Sequence, residues 1–342
     1  MKDHKLCFTS DREGEFRSPI CCILGHVDTG KTTLLDKIRN TNVQENEAGG
    51  ITQQIGATFF PRTKLVEEVE KCKDTTPISV DVPGLLIIDT PGHESFANLR
   101  SRGSSLCDIA ILVIDLMHGL EQQTIESIEL LRARGTPFVV ALNKIDRTFD
   151  WKVVKDRSSY EALKAQDSTT LDDYKNRLSQ VITQMNQKGF NVCMYWENPD
   201  PLEYVSLVPT SGVTGEGLPD LLTLLVKYSL TMKSIQKRIR ISKTKFNCTV
   251  MEVKMIEGHG TTIDCILVDG EIRKDDQIVL LGFRGPIVTK VRALLTPHPM
   301  KEMRVKDEYL HHESILAANG VKISAAGLDE AVAGTPLIVA NT

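Results

Sequence analysis

"GHVDTGKT", residues 25–32, follows the apolar run "PICCIL" (19–24) and opens into "TLLDKIRN" (33–40). It meets every fixed position of the pattern G-x-x-x-x-G-K-[ST], with Gly25, Gly30, Lys31 and Thr32 in place. A strand-like run before it and a helical run after it supply the context this phosphate loop needs. Glycines let the backbone wrap closely around phosphates, so that successive N–H groups and the start of the helix face negative charge. Asp28, Thr29, Gly30, Lys31, Thr32 and Thr33 are therefore the expected phosphate cradle. Lys31 reaches the outer phosphates, and Thr32 offers a hydroxyl to Mg²⁺.

Working outward, short apolar runs alternate with helical stretches: "LLIID" (85–89), "DIAILVID" (108–115), "PFVVALN" (137–143) and "YVSLVP" (204–209). Continuous apolar strands separated by helices predict a mostly parallel sheet covered on both faces. Helices are expected over "ESFANLRSRGSS", "LEQQTIESIELLRAR", "LDDYKNRLSQVITQMNQ" and "LPDLLTLLVKYSLTMK", and the polar stretch "KDRSSYEALKAQDSTT" (155–170) reads as a surface insertion. After about residue 242 the character changes to short strands punctuated by Gly and Asp, such as "TTIDCILVD" and "GPIVTKVRALL", which predicts an all-β barrel domain. The expected organisation is an N-terminal tail over 1–17, an α/β nucleotide-binding domain over 18–229, a linker over 230–246 and a β-barrel over 247–342. The linker is basic, with Lys233, Lys237, Arg238, Arg240, Lys243 and Lys245. A solvated helix end explains that charge, and contact with phosphate backbones is the alternative.

The 342 residues, 41% hydrophobic and 25% charged, are ordinary globular material for about two domains. A net charge of −4 confines any nucleic-acid contact to local patches. No signal peptide begins the chain and no apolar run is long enough to span a bilayer, so a cytoplasmic protein without membrane contact is expected. Eight cysteines without a C-x-x-C pair read as reduced structural thiols rather than bridges or zinc ligands.

"NKID" (143–146) follows an apolar strand, and its chemistry discriminates bases. The Asp146 carboxylate can accept both N–H groups that guanine presents on N1 and its exocyclic amine, which adenine cannot supply. Asn143 braces the loop, and the aliphatic stem of Lys144 can lie over the purine ring. "DTPGH" (89–93) ends another strand. Asp89 is placed to hold Mg²⁺ through a water, Gly92 frees an N–H toward the terminal phosphate, and His93 falls where an attacking water sits. Asp28 puts a further carboxylate beside the phosphates. Either a monovalent cation, K⁺ or Na⁺, bridges it to GTP oxygens, or it is a solvent-facing Asp ordering its own turn.

The stretches "GHVDTGKT", "GGITQQIGAT", "DTPGHESF", "NKID" and "TSGVTGEG" resemble the translational GTPases, and most closely the initiation factors among them. The resemblance runs from about Ser18 onward. It implies GTP and GDP as ligands, an α/β P-loop GTPase domain followed by an all-β barrel domain, and ribosome-stimulated hydrolysis that promotes subunit joining at translation initiation. It implies a switch threonine at Thr52 that completes the Mg²⁺ shell, and an apolar gate of Val27 and Ile51 flanking the catalytic His93. Ser211, Gly212 and Val213 match the loop that meets the guanine carbonyl. Gly212 stands where the family usually has alanine and Gln122 where it often has proline. Both ribosomal subunits are the expected partners, with initiator tRNA and other initiation factors engaged through domains beyond this barrel, so the sequence is expected to be a fragment.

Three other readings remain at this point. An elongation or tRNA-carrying factor is disfavoured by "GGITQQIGAT". A signalling switch acting through protein effectors carries a glutamine where His93 stands, and needs no barrel. A nucleotide-binding module without turnover is disfavoured by the set Lys31, Thr32, Thr52 and His93.

Overall fold

Strand β1 (Ile20–Gly25) is buried at every position, as a strand covered on both faces requires. It feeds helix α1 (Lys31–Arg39), which turns its apolar Leu34, Leu35 and Ile38 inward. In the computed structural model, residues 14–41, 52, 54–72, 79–91, 106–242, 245–256, 260–303 and 309–340 are described. The chain divides into two compact units, one of Pro19–Ile235 with Pro299–Val305 and the other of Met1–Ser18, Gln236–His298 and Lys306–Thr342.

In the first unit, α1 is followed by β2 (Gly56–Pro61), α2 (Arg62–Lys71), β3 (Gly84–Asp89), β4 (Ile109–Asp115), α3 (Gln122–Arg134), β5 (Phe138–Asn143), α4 (Ser159–Lys164), α5 (Ser168–Gln187), β6 (Asn191–Met194), β7 (Tyr204–Pro209) and α6 (Leu218–Thr231). The sheet order is β2-β3-β1-β4-β5-β7-β6. All pairs are parallel except β2 with β3. From β1 the chain first goes to one side, to β2 and β3, and then returns to build the other side from β4. That reversal makes the carboxyl end of β1 the switch point of the sheet, where ligands bind in open α/β folds. The parallel arrangement brings Gly25, Asp89, Asp115, Asn143 and Pro209, each the last residue of its strand, to one edge.

Four expectations need correction or addition. The stretch 155–170 is not a loose surface insertion: it contains α4 and the start of α5, and Ser158, Ser159, Gln166 and Thr170 are buried. Their polarity is used internally. The Ser158 hydroxyl accepts from the Tyr160 N–H, Ser159 donates to the Asp220 carboxylate, and the Gln166 amide closes on both backbone groups of Lys152. The helix expected over 218–233 stops at Thr231 because Met232 is extended, and a further helix, α7 (Lys233–Ile239), follows within the stretch read as a linker. Ile235 and Ile239, spaced one turn apart, are fully buried, which accounts for a helix there. Strand β2, helix α2 and strand β6 were not anticipated, and the helix expected over 94–105 lies outside the described residues.

Residues 299–303 run beside β2, with the N–H groups of Met300 and Met303 donating to Phe59 and Ala57 carbonyls at 3.1 and 3.2 Å. Glu302 is 1% exposed and lies 3.4 Å from the buried Arg39 guanidinium, which also bonds the Thr58 hydroxyl at 3.1 Å and approaches Asp36 at 3.4 Å. A buried guanidinium is tolerated only when its charge and donors are matched. Glu302→Gln keeps an acceptor but removes the countercharge. It is expected to lower the unfolding free energy by about 2 kcal/mol, less than full loss of a buried pair, because Asp36 remains. Urea unfolding measures this, and an unchanged midpoint refutes the pairing.

The second unit carries β8 (Asn247–Ile256), β9 (Gly260–Asp269), β10 (Glu271–Arg273), β11 (Gln277–Gly282), β12 (Gly285–Thr296), β13 (Leu310–His312), β14 (Ser314–Leu316), β15 (Asn319–Ala325) and β16 (Pro336–Val339). The order β11-β16-β8-β9-β15-β12 closes through β11–β12 into a six-stranded antiparallel barrel, which leaves no exposed edge among those strands. Val250, Ile263, Cys265, Leu267, Leu280 and Ile323 fill its interior. At its base, Arg17 pairs with Asp269 at 3.2 Å, and its backbone N–H donates to the Ile239 carbonyl at 2.8 Å. Burial pushes the Cys21 and Cys265 thiols well above the ordinary range, so both act as packing residues rather than nucleophiles.

Candidate functional site

Two glycines set the shape of the loop between β1 and α1. Gly25 has φ +150°, and a Cβ there would lie 2.4 Å from the Val113 carbonyl. Gly30 has φ +85°, and a Cβ would lie 2.4 Å from the Asn143 amide nitrogen. A side chain at either point drives the loop off its neighbouring strands. Asp28 is exposed and takes the left-handed conformation, φ +59°, that the turn requires and that Asp tolerates. The Thr29 hydroxyl closes the loop on the His26 carbonyl at 2.9 Å. Lys31 is 6% exposed, and its ammonium is held inside the loop by the Gly25 carbonyl at 3.0 Å and by that of His26.

Next to that ammonium, three hard oxygen donors from separate segments converge. The hydroxyls of Thr32 and Thr52 are 2.6 Å apart, and Thr32 Oγ1 lies 3.4 Å from Asp89 Oδ2. All three residues are buried. Two hydroxyls and a carboxylate in one buried cluster are the donor chemistry a small divalent cation selects, and thiol and imidazole ligands are missing from it. The set fits Mg²⁺.

The segments 143–146 and 211–213 are tied to the phosphate loop. Asn143 is 2% exposed; its amide N–H donates to the Thr29 carbonyl at 2.7 Å, and its oxygen accepts from the Gly212 N–H at 3.1 Å. One side chain thus bridges the ends of β1, β5 and β7. Lys144, at φ +68°, lays its chain back so that Nζ meets Asp115 Oδ2 at 2.7 Å. Burial works to raise the Asp115 carboxyl, but bonds from Lys144, His118 and the Met117 N–H together hold it below the usual carboxylate range. Asp146 is fixed by the Ser211 hydroxyl, which donates to its Oδ1 at 2.6 Å. Gly212 packs on the backbone of α1. A Cβ there would lie 3.0 Å from the Leu34 nitrogen, so the departure from alanine allows a tighter approach. Val213 beside it is 69% exposed.

The arrangement leaves the phosphate loop with the Lys31 ammonium at its inner end, a buried cluster of hard oxygen donors beside it and the Asp146 carboxylate held by Ser211. Thr33 lies at the start of α1, half-buried. Gly92, His93 and Ile51 lie outside the described residues. Val27, half-buried, donates its N–H to Gln123 Oε1 at 3.0 Å, and His26 faces Glu121 at 3.5 Å.

Asp115, Gln123, Trp151 and Glu216 were not singled out by the sequence reading. A carboxylate closing the apolar run "IAILVID" at the ligand edge could have exposed Asp115. Nothing local signals Gln123. Trp151 and Glu216 belong together, the indole N–H lying 3.2 Å from the carboxylate.

The elongation factor Tu GTP binding domain family matches residues 17–231. Eukaryotic translation initiation factor 5B of Saccharomyces cerevisiae is 56% identical over 336 residues, covering 96% of this chain and 33% of that protein. The probable translation initiation factor IF-2 of Metallosphaera sedula is 46% identical over 333 residues, covering 97% of this chain and 55% of that protein. Among solved structures, GDP-bound aIF5B from Aeropyrum pernix superposes with a TM-score of 0.84 at 42% identity, covering 96% of this chain and 55% of that one. The chain therefore spans a third of the length of the yeast relative and about half of each archaeal one.

Proposed function

Because the chain belongs to the translational GTPases, the family of the elongation factor Tu GTP binding domain, we propose that it binds GTP and GDP and hydrolyses GTP in translation initiation, promoting ribosomal subunit joining. The observation that carries this reading is the convergence on one sheet edge of the Thr32, Thr52 and Asp89 oxygens and the Asn143, Asp146 and Ser211 base-reading group, with the phosphate loop between them. That grouping suits one nucleoside triphosphate.

In this scheme the N–H groups of residues 28–33 and the Lys31 ammonium bind the phosphates, pre-positioned by the loop carbonyls. The Thr32 and Thr52 hydroxyls and the Asp89 carboxylate would hold Mg²⁺. When bound, Mg²⁺ neutralises charge on the β- and γ-phosphate oxygens. Asp146 accepts the two guanine N–H groups, the Gly212 N–H, bonded to Asn143 Oδ1 at 3.1 Å, is shared with the guanine carbonyl, and Lys144 covers the ring. Gly92 senses the terminal phosphate and His93 orients the attacking water, with Val27 and Ile51 as its gate. The Gln123 bond to the Val27 N–H fixes one side of that gate. The partners are both ribosomal subunits, with initiator tRNA and other initiation factors engaged by domains beyond this stretch of the protein.

GTP hydrolysis by this chain and by a version extended to the relatives' length, each with and without ribosomal subunits, tests the proposal. Stimulation by assembled ribosomes supports it. GTP turnover indifferent to ribosomes removes the translational role and leaves a GTP-binding module.

Asp28 carries a separate expectation. Its exposed carboxylate stands on the phosphate loop, so a K⁺ or Na⁺ ion bridging it to GTP oxygens relieves the repulsion. GTP affinity is expected to fall when K⁺ or Na⁺ is exchanged for a bulky organic cation at constant ionic strength, and Asp28→Asn should abolish the difference. Affinity indifferent to the cation leaves Asp28 as a turn residue only.

A further inference from the structure

Trp151 touches both segments assigned to base recognition. Its ring packs with the buried Leu116, Ile145 and Tyr174, and Ile145 is the residue between Lys144 and Asp146. Its indole N–H lies 3.2 Å from each oxygen of the Glu216 carboxylate. Glu216 is fully buried, and it accepts two further bonds, from the Val154 N–H at 2.8 Å and the Thr214 hydroxyl at 2.5 Å. A buried carboxylate is unfavourable unless donors surround it, so these contacts fix its place rather than decorate it.

The consequences run on to the base. The Glu216 carbonyl accepts from the Ser211 N–H at 2.9 Å, and the Thr214 and Val213 N–H groups close on Ser211 Oγ at 3.1 and 3.3 Å. Ser211 Oγ in turn donates to Asp146. Alongside, the Asp156 N–H meets the Thr214 carbonyl at 3.4 Å and the Gly217 N–H meets that of Arg157 at 2.9 Å. The segment 151–157 is thereby laced to the loop 211–217 along its length, while Trp151 packs against the cluster that contains Ile145.

We propose that Trp151 and Glu216 are positioning residues for guanine recognition, holding the 143–146 and 211–217 segments at the spacing that lets Asp146 and the Gly212 N–H engage one purine from two sides. The proposal rests on the guanine-binding reading above. Neither residue touches the base. Recognition by paired hydrogen bonds tolerates errors of only about half an ångström, so loosening this lacing lowers base discrimination. Within the phosphate loop itself, Lys31 and Thr29 are held by the Gly25 and His26 carbonyls.

The test measures binding and release of fluorescent GDP and inosine diphosphate, which lacks the exocyclic amine assigned to Asp146, for wild type, Trp151→Phe and Glu216→Gln. Trp151→Phe keeps an aromatic ring against the Leu116, Ile145 and Tyr174 cluster and deletes the N–H together with part of the indole. In both variants GDP release is expected to quicken about 10-fold, the scale of one hydrogen bond to a charged group, and the GDP-to-inosine-diphosphate affinity ratio to fall by a similar factor. Thermal midpoints of the nucleotide-free chains are recorded beside these. A loss of stability alone weakens both nucleotides together and leaves the ratio intact, so an unchanged ratio in Trp151→Phe overturns the proposal, whether or not Glu216→Gln folds. A wild-type chain that does not distinguish GDP from ADP overturns the guanine-binding reading itself.

Discussion

Replacing His93 with alanine is expected to leave GTP affinity nearly unchanged and to lower ribosome-stimulated hydrolysis by roughly 10²- to 10⁴-fold, the range for losing a positioned water-orienting group. The separation follows from where binding resides. In the proposed function the phosphates are met by the N–H groups of residues 28–33 and by Lys31, and Mg²⁺ by the Thr32, Thr52 and Asp89 oxygens, a set that does not include His93. His93 itself follows Asp89 at the end of β3 by four residues. Uncatalysed turnover by the free protein should be slow in wild type and mutant alike, so the deficit is largest with ribosomes present. Single-turnover hydrolysis on a version extended to the relatives' length measures it. Wild-type stimulated hydrolysis in His93→Ala shows that another group orients the water, and the binding assignments stand without it.

The second large effect is expected at Asp146. Asn at this position replaces one acceptor oxygen with a donor, which faces a guanine N–H and leaves another donor unmatched. Hydrogen bonds to a charged acceptor contribute about 1.5–3 kcal/mol each, so the guanine-over-adenine preference should fall by about 10²-fold or more. The Ser211 hydroxyl at 2.6 Å from Asp146 Oδ1 can still donate to the remaining carbonyl oxygen, which keeps the loop in place and confines the change to the base. Competition of GDP and ADP against a fluorescent guanine nucleotide reads the ratio. A ratio equal to wild type removes Asp146 from the role.

The two mutants also separate parts of the site that differed in how they could be read. Lys31, Thr32, Asn143 and Asp146 stand in short contiguous patterns at the ends of apolar strands, where residue type and spacing specify the chemistry. The strand ends themselves were close to those observed: "YVSLVP" was placed residue for residue, and "LLIID" fell one residue short of Gly84–Asp89. Strand β2 was missed because it is an antiparallel edge strand with mixed burial, so "GATFFP" lacks the continuous apolar run that marks the central strands. Helix α7 was read as linker because its charged residues outnumber the two isoleucines that bury it. The polar stretch before α5 was read as exposed because sequence shows polarity and not where its partners lie; Asp220, which holds Ser159, comes from another helix.

Local pattern carries the phosphate-loop motif at the head of an α/β unit, the "NKID" segment after a later strand of it, and the β-rich unit that comes after. Each of these is carried by neighbours in the chain, and local geometry is enough to express them. Long-range packing alone brings Asn143 to both Thr29 and Gly212, Thr52 to Thr32, Glu302 to Arg39 and Trp151 to Glu216. Those partners are far apart in sequence, and no periodicity announces them. They are selected by the cost of leaving a buried charge or donor unmatched, which comes into force only when the chain has closed around it.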